Sequence, residues 1–127
     1  MKTIKFNDFM NSDYEEDNEQ LYIIRSDKVL YIGKAFLGIH YRWFGSGTSH
    51  ILKRYNGTYF GNSAIGTEII NNLPTSMDWE IDMYTVDECS DFVHKHFPYY
   101  KMFDIDIAEI SLIREYKPLL NVIHNSY

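Results

Sequence analysis

A chain of 127 residues with 45% hydrophobic and 24% charged residues fits one globular domain with its own core, far from disordered or fibrous compositions. Its single cysteine, Cys89, excludes an intramolecular disulfide, and without a long apolar run or a signal-like N-terminus the expectation is a cytoplasmic protein with no membrane association. The formal net charge of -6 argues against a uniformly basic surface, yet between Leu21 and Phe60 six basic residues (Arg25, Lys28, Lys34, Arg42, Lys53 and Arg54) stand against one acid, Asp27, which allows a basic face on an acidic body.

Residues 1–20 turn acidic and polar after Asn11 and read as a helix or extended arm ahead of a domain over 21–127. Leu21 to Arg25 and Val29 to Gly33 are rich in β-branched and aromatic residues, and the polar Ser26-Asp27-Lys28 between them predicts an antiparallel hairpin. Alternation along the strands puts Tyr22 with Ile24 on one face and Val29, Tyr31 and Gly33 on one face, so two tyrosines can point into one pocket. Phe36 to Ser49 reads as loop or short helix, Ser49 to Tyr55 as a helix with a serine cap, and Ser63 to Asn72 as another that stops before Pro74. Trp79 to Thr85 alternates as a third strand, and Asp87 to Phe97 reads as a helix ending at Pro98.

The last expected helix, about Asp104 to Tyr116, carries the most chemical information. At about 100° per residue, Ile105, Ala108, Leu112, Ile113 and Tyr116 share an arc, and Glu109 falls inside it. A carboxylate projected into a packed face needs an arginine, a lysine or a metal as partner, because an unpaired buried charge is costly.

These residues resemble a known family. Leu21-Tyr22 followed by Tyr31-Ile32-Gly33 is similar to the paired strands that name the GIY-YIG nucleases. Arg42-Trp43 matches the basic-apolar pair that follows in phage homing endonucleases and in the excision-repair nuclease subunit. The segment from Glu109 through Leu112-Ile113 to Pro118 and Asn121 is similar to the family's E-x2-L-I-x4-P-x2-N element. The pieces run in the family's order over residues 21 to 121. Gln20 departs from the usual glycine, Arg42 lies one residue further from Gly33 than in relatives, and Ser46 stands where a histidine is usual, with His50 as its candidate replacement.

The resemblance implies an α+β domain with a small, mainly antiparallel three-stranded sheet flanked by helices. It implies a divalent-metal-dependent endonuclease that cuts nucleic acid, DNA before RNA with the choice between them left open, to 5′-phosphate and 3′-hydroxyl ends. Glu109 would hold one Mg²⁺ or Mn²⁺, a hard cation that binds through only one or two carboxylates. Arg42 would neutralise charge growing on the phosphoryl oxygens, and Tyr22 or Tyr31 would activate water with Lys34 as the cation that eases phenol ionisation. Asn121 would orient the site, and Lys34, Arg42, Lys53 and Arg54 would meet the nucleic acid. With no separate specificity domain expected, a homodimer or a protein partner would supply target choice.

Blander readings stand beside these. Both tyrosines serve as ordinary strand residues in many sheets, Glu109 could be a structural ion pair with Arg114 or Arg42, and Asn121 a turn residue. His94 and His96 lie two apart on an expected helix and do not face each other. The aromatic and basic run from Phe36 to Gly45 could stack on bases or pack a helix onto the sheet. The alternatives at the level of function are a non-cutting nucleic-acid-binding module of the same fold and a protein-binding regulator.

Overall fold

The computed structural model describes residues 1–12, 18–45, 51–55, 58–61 and 63–121, with the backbone alone for 53–55. The expected hairpin forms from β2 (Leu21–Arg25) and β3 (Val29–Lys34), closed at Ser26 to Lys28 by a backbone hydrogen bond of 3.0 Å. Tyr22 lies opposite Gly33 and Ile24 opposite Tyr31, which is the alternation the sequence carries.

The sheet has four strands where the sequence suggested three. β1 (Lys2–Lys5) pairs antiparallel with β6 (Glu80–Tyr84), β6 pairs with β2, and the order is β1-β6-β2-β3. The opening segment thus supplies an edge strand followed by a short helix, α1 (Phe6–Met10), whose Phe6 and Phe9 are fully buried. A run as short and polar as Lys2-Thr-Ile-Lys5 has little strand signal of its own; backbone pairing along β6 supplies it. Asp82, nearly buried on β6, ties three strands together by accepting from Thr3 Oγ1 at 2.6 Å and from Arg25 Nε and Nη2 at 2.7 and 2.9 Å. Arg25 is therefore spent on a structural carboxylate and leaves the basic run short of one phosphate ligand.

A second departure concerns Ser49 to Tyr55, read above as a helix. Leu52–Tyr55 is strand β4, paired antiparallel with β5 (Thr58–Gly61) in a separate two-stranded ribbon. The ribbon rests on α2 (Ala64–Asn71), where a Cβ on Gly61 would lie 2.6 Å from the Gly66 carbonyl carbon. Such close backbone approach needs glycine on both sides and fixes the ribbon to the helix. The Ser63 cap of α2 does form, its Oγ accepting from Gly66 N at 3.2 Å.

Both sheet faces are covered. One packs Tyr22, Ile24, Ile81 and Met83 against α1, Trp43, the ribbon and α2. The other packs Leu21, Ile23 and Ile32 against Cys89 and the apolar arc of α4 (Ile105–Tyr116), capped at its N-terminus by Asp104 and flanked by α3 (Ser90–His96). Residues 39–45 form a short helical turn that widens to π geometry over Tyr41–Gly45. No helix among the described residues is long and apolar enough to cross a membrane.

Candidate functional site

Gly33 explains how a tyrosine comes to lie across the hairpin. A Cβ built there would collide with Oη and Cζ of Tyr22 and sit 2.9 Å from its Cε1. The phenol thus occupies the space that any side chain at position 33 would fill. Tyr22 is 1% exposed and fixed edge-on to Trp43 at a ring separation of 5.7 Å, while Tyr31 lies 6.1 Å away and is only partly buried. Trp43 is itself fully buried against Phe6 and Phe9, so the N-terminal helix forms the back wall of the tyrosine pair.

Burial raises the Tyr22 phenol well above its ordinary pKa, and the neighbouring Tyr31 and Glu109 raise it further against an opposing pull from Arg42. Tyr31 is raised by burial and by Glu109, again with Arg42 pulling it down. Both phenols therefore rest protonated, and each senses the same guanidinium and the same carboxylate. Arg42 belongs to the π turn, a geometry that often marks functional segments. Lys34, expected to be the cation beside the phenols, instead faces α4, with its Nζ 2.5 Å from Asp106 and 3.8 Å from Glu109.

Glu109 sits at the edge of the α4 packing face, its side chain 16% exposed. Desolvation raises its carboxyl above the usual range, Lys34 lowers it, and Asp106, one turn earlier on the helix, raises it again. The result is a carboxylate that gains from any cation brought to it, because burial has removed part of its water. Asp106 and Glu109, one turn apart on α4, offer hard oxygen donors, the type Mg²⁺ or Mn²⁺ takes in small number, and the Lys34 ammonium meets them from β3. Among the described residues no group of three or more His, Cys, Asp or Glu side chains is placed to hold a metal ion, which leaves Glu109, with Asp106 nearby, as the acidic donors at this site.

Asn121 clips the outer edge of the sheet. Its side chain accepts from Ile32 N at 2.9 Å and donates to Ile32 O at 2.8 Å, satisfying both backbone groups of that β3 residue on its unpaired side. The chain reaches this point because α4 stops at Lys117, which adopts a left-handed conformation with φ 45°, after which Leu119 and Leu120 bond to Val29 and Leu30. The clip places Asn121 one residue from Tyr31 and two from Lys34, where it steadies the strand that carries both.

Six positions from the sequence reading thus fall in one region: Tyr22, Tyr31, Lys34, Arg42, Glu109 and Asn121. His50 lies outside the described residues, and so do the side chains of Lys53 and Arg54, whose backbones belong to β4. The sequence reading missed Asp106, although a second acid three residues before Glu109 on a helix is visible as spacing. It also missed Trp43 as the wall behind Tyr22, which no local pattern reveals. No protein-family model matches the chain, and no curated protein or solved structure matches it either.

Proposed function

We propose that the protein is a GIY-YIG-type endonuclease, hydrolysing nucleic-acid phosphodiesters, DNA before RNA, with a divalent ion held by Glu109. The observation that carries this reading is the grouping at the end of a hairpin of two phenols 6.1 Å apart with one guanidinium and one desolvated carboxylate whose charges both act on each phenol. A structural ion pair accounts for Glu109 alone, whereas hydrolysis gives every member of the group a task.

In this reading Glu109, with Asp106 one turn away, holds Mg²⁺ or Mn²⁺. When bound, the ion supplies Lewis acidity to the phosphoryl group and to the departing 3′ oxygen. Arg42 meets the charge that accumulates on the phosphoryl oxygens. Tyr31 is the phenol with access to solvent: it first gives up its own proton to solvent, against burial and Glu109 and with the help of the Arg42 charge, and the phenolate then receives the proton of the attacking water, while buried Tyr22 holds the geometry of the pocket. The water oxygen forms a bond to phosphorus, the bond from phosphorus to the 3′ oxygen breaks, and the 3′ hydroxyl takes its proton from solvent. Lys34 shields Glu109 from Asp106 before the ion enters.

The same ammonium favours one second reading, a nucleic-acid-binding module in which Lys34 neutralises Glu109 permanently and nothing is cut. Incubation of plasmid and of single-stranded DNA with the protein, with and without Mg²⁺ or Mn²⁺, separates the two. The nuclease reading expects metal-dependent cleavage leaving 5′-phosphates, reduced at least about a hundredfold in Glu109→Ala. Binding without cleavage under every metal condition supports the module and refutes the nuclease. Arg42→Ala is expected to lower turnover far more than affinity, since its charge matters most in the transition state.

A further inference from the structure

The aromatic run after β3 divides in the structure. Ile39 and Trp43 are buried, whereas Phe36 is 63% exposed and Leu37 is 76% exposed at the tip of a tight turn. The turn is closed by a hydrogen bond from Gly38 N to the Ala35 carbonyl, and Gly38 takes a φ of +105° that side-chain-bearing residues rarely adopt. Gln20 fastens it from the other side, donating from Nε2 to the Phe36 carbonyl at 3.0 Å. Between them is an open cavity of about 350 Å³ lined by Asn18, Gln20, Phe36, Leu37 and Gly38.

Two links join this cavity to the region described above. The Lys34 ammonium lies 5.9 Å from the centre of the Phe36 ring while it pairs with Asp106 at 2.5 Å and stands 3.8 Å from Glu109, so one cation borders both the ring and the α4 carboxylates. The Gly38 carbonyl accepts from Arg42 N at 3.1 Å, so the turn and the residue that carries the guanidinium share a backbone bond. An exposed ring and two carboxamides around one cavity form a combination suited to one class of ligand. The ring offers a face for stacking, and Asn18 and Gln20 offer donors and acceptors to a base edge. A base inside a duplex already has both faces covered, so the ring can serve only a base that is unpaired or pulled from its stack.

The geometry points to a subsite in which an unpaired nucleobase stacks on Phe36 with its edge against Asn18 and Gln20, giving the protein a preference for single-stranded or frayed nucleic acid over intact duplex. The inference rests on the nuclease or binding-module reading of the neighbouring site, and it concerns binding, so it can fail or stand independently of cutting. Gln20, which departs from the glycine of the family pattern, becomes the residue that sets the height of the turn.

The test measures binding by fluorescence anisotropy in EDTA, where no cleavage intervenes, using a labelled single-stranded oligonucleotide, its duplex, and the duplex with one unpaired 2-aminopurine. The wild-type chain is expected to bind the single strand and the interrupted duplex at least about tenfold tighter than the intact duplex, with 2-aminopurine fluorescence quenched on binding. Phe36→Ala should lose about tenfold on the single strand, change duplex binding little and abolish the quenching, whereas Phe36→Tyr should restore both. Because Phe36 is exposed, an unchanged circular dichroism spectrum confirms that the variant folds. Equal affinity for single strand and duplex, no affinity for either, or a Phe36→Ala variant that binds and quenches like wild type overturns the subsite. Stacking without any metal-dependent cleavage keeps the subsite and refutes the nuclease. Cleavage of intact duplex unaffected by Phe36→Ala does the reverse.

Discussion

Gly33→Ala is expected to destabilise the protein, although alanine is ordinarily the better residue inside a strand. At an unconstrained strand position the exchange should stabilise by roughly 0.5–1 kcal/mol, because glycine loses more freedom on folding. Here the new methyl would enter the space of Tyr22 Oη and Cζ and meet Cε1 at 2.9 Å. The ring has no room to retreat, being held by Trp43 and Tyr31 and exposed by only 1%. Overpacking of this kind costs about 1–3 kcal/mol. For a domain of this size the midpoint of thermal unfolding should fall by roughly 3–12 °C. The control is Tyr22→Leu, which removes the atoms that collide: in that background Gly33→Ala should be neutral or stabilising, reversing sign. Urea unfolding of the four proteins in the cycle measures the coupling directly. Additive effects, or a Gly33→Ala protein as stable as wild type, would show that the phenol does not lie over the glycine and would remove the physical basis for the tyrosine pair.

Asn121→Ala should cost about 1–3 kcal/mol by leaving Ile32 N and O without their partners on the sheet edge, and amide exchange at Ile32 should quicken more than at Ile23; equal protection at both would argue that the clip contributes nothing. Glu109→Gln should raise the unfolding midpoint at neutral pH. The folded Glu109 carboxyl is shifted up by desolvation, so between its unfolded and folded values the native state binds more protons, and stability falls as pH rises through that window. The advantage of the glutamine should therefore shrink as pH drops below the ordinary carboxylate range, and a Glu109→Gln protein less stable than wild type at pH 7 would mean that the carboxylate is a net stabilising ion pair instead.

Much of the site could be read from the chain because its parts are short-range. The Tyr22 and Tyr31 strands announce themselves by β-branched alternation around a polar turn, and the α4 arc by spacing from a capping Asp104. Asn121 is marked by the resemblance alone: the helix stop and Pro118 indicate a turn there, and only the structure shows that the turn brings its side chain to Ile32. The segment from Ser49 to Tyr55 misled for the opposite reason. Its local propensities suit a helix start, while the pairing with Thr58–Gly61 and the glycine contact to α2 draw Leu52–Tyr55 into a ribbon, Ser49 and His50 lying outside the described residues. Asn56-Gly57 between those runs is a hairpin signal that outweighs the serine cap.

The amino-acid order by itself determined the faces on which the two phenols and Glu109 stand, since these follow from hairpin and helix periodicity. Only the tertiary structure decided their partners. Lys34 went to Asp106 and Glu109, Arg42 became the cation felt by both phenols, Arg25 was taken by Asp82, and Phe36 was left outside the core. Charge pairing depends on distances between elements far apart in the chain, and those distances follow from how the two faces of the sheet are packed. Periodicity within a single strand or helix carries no record of them.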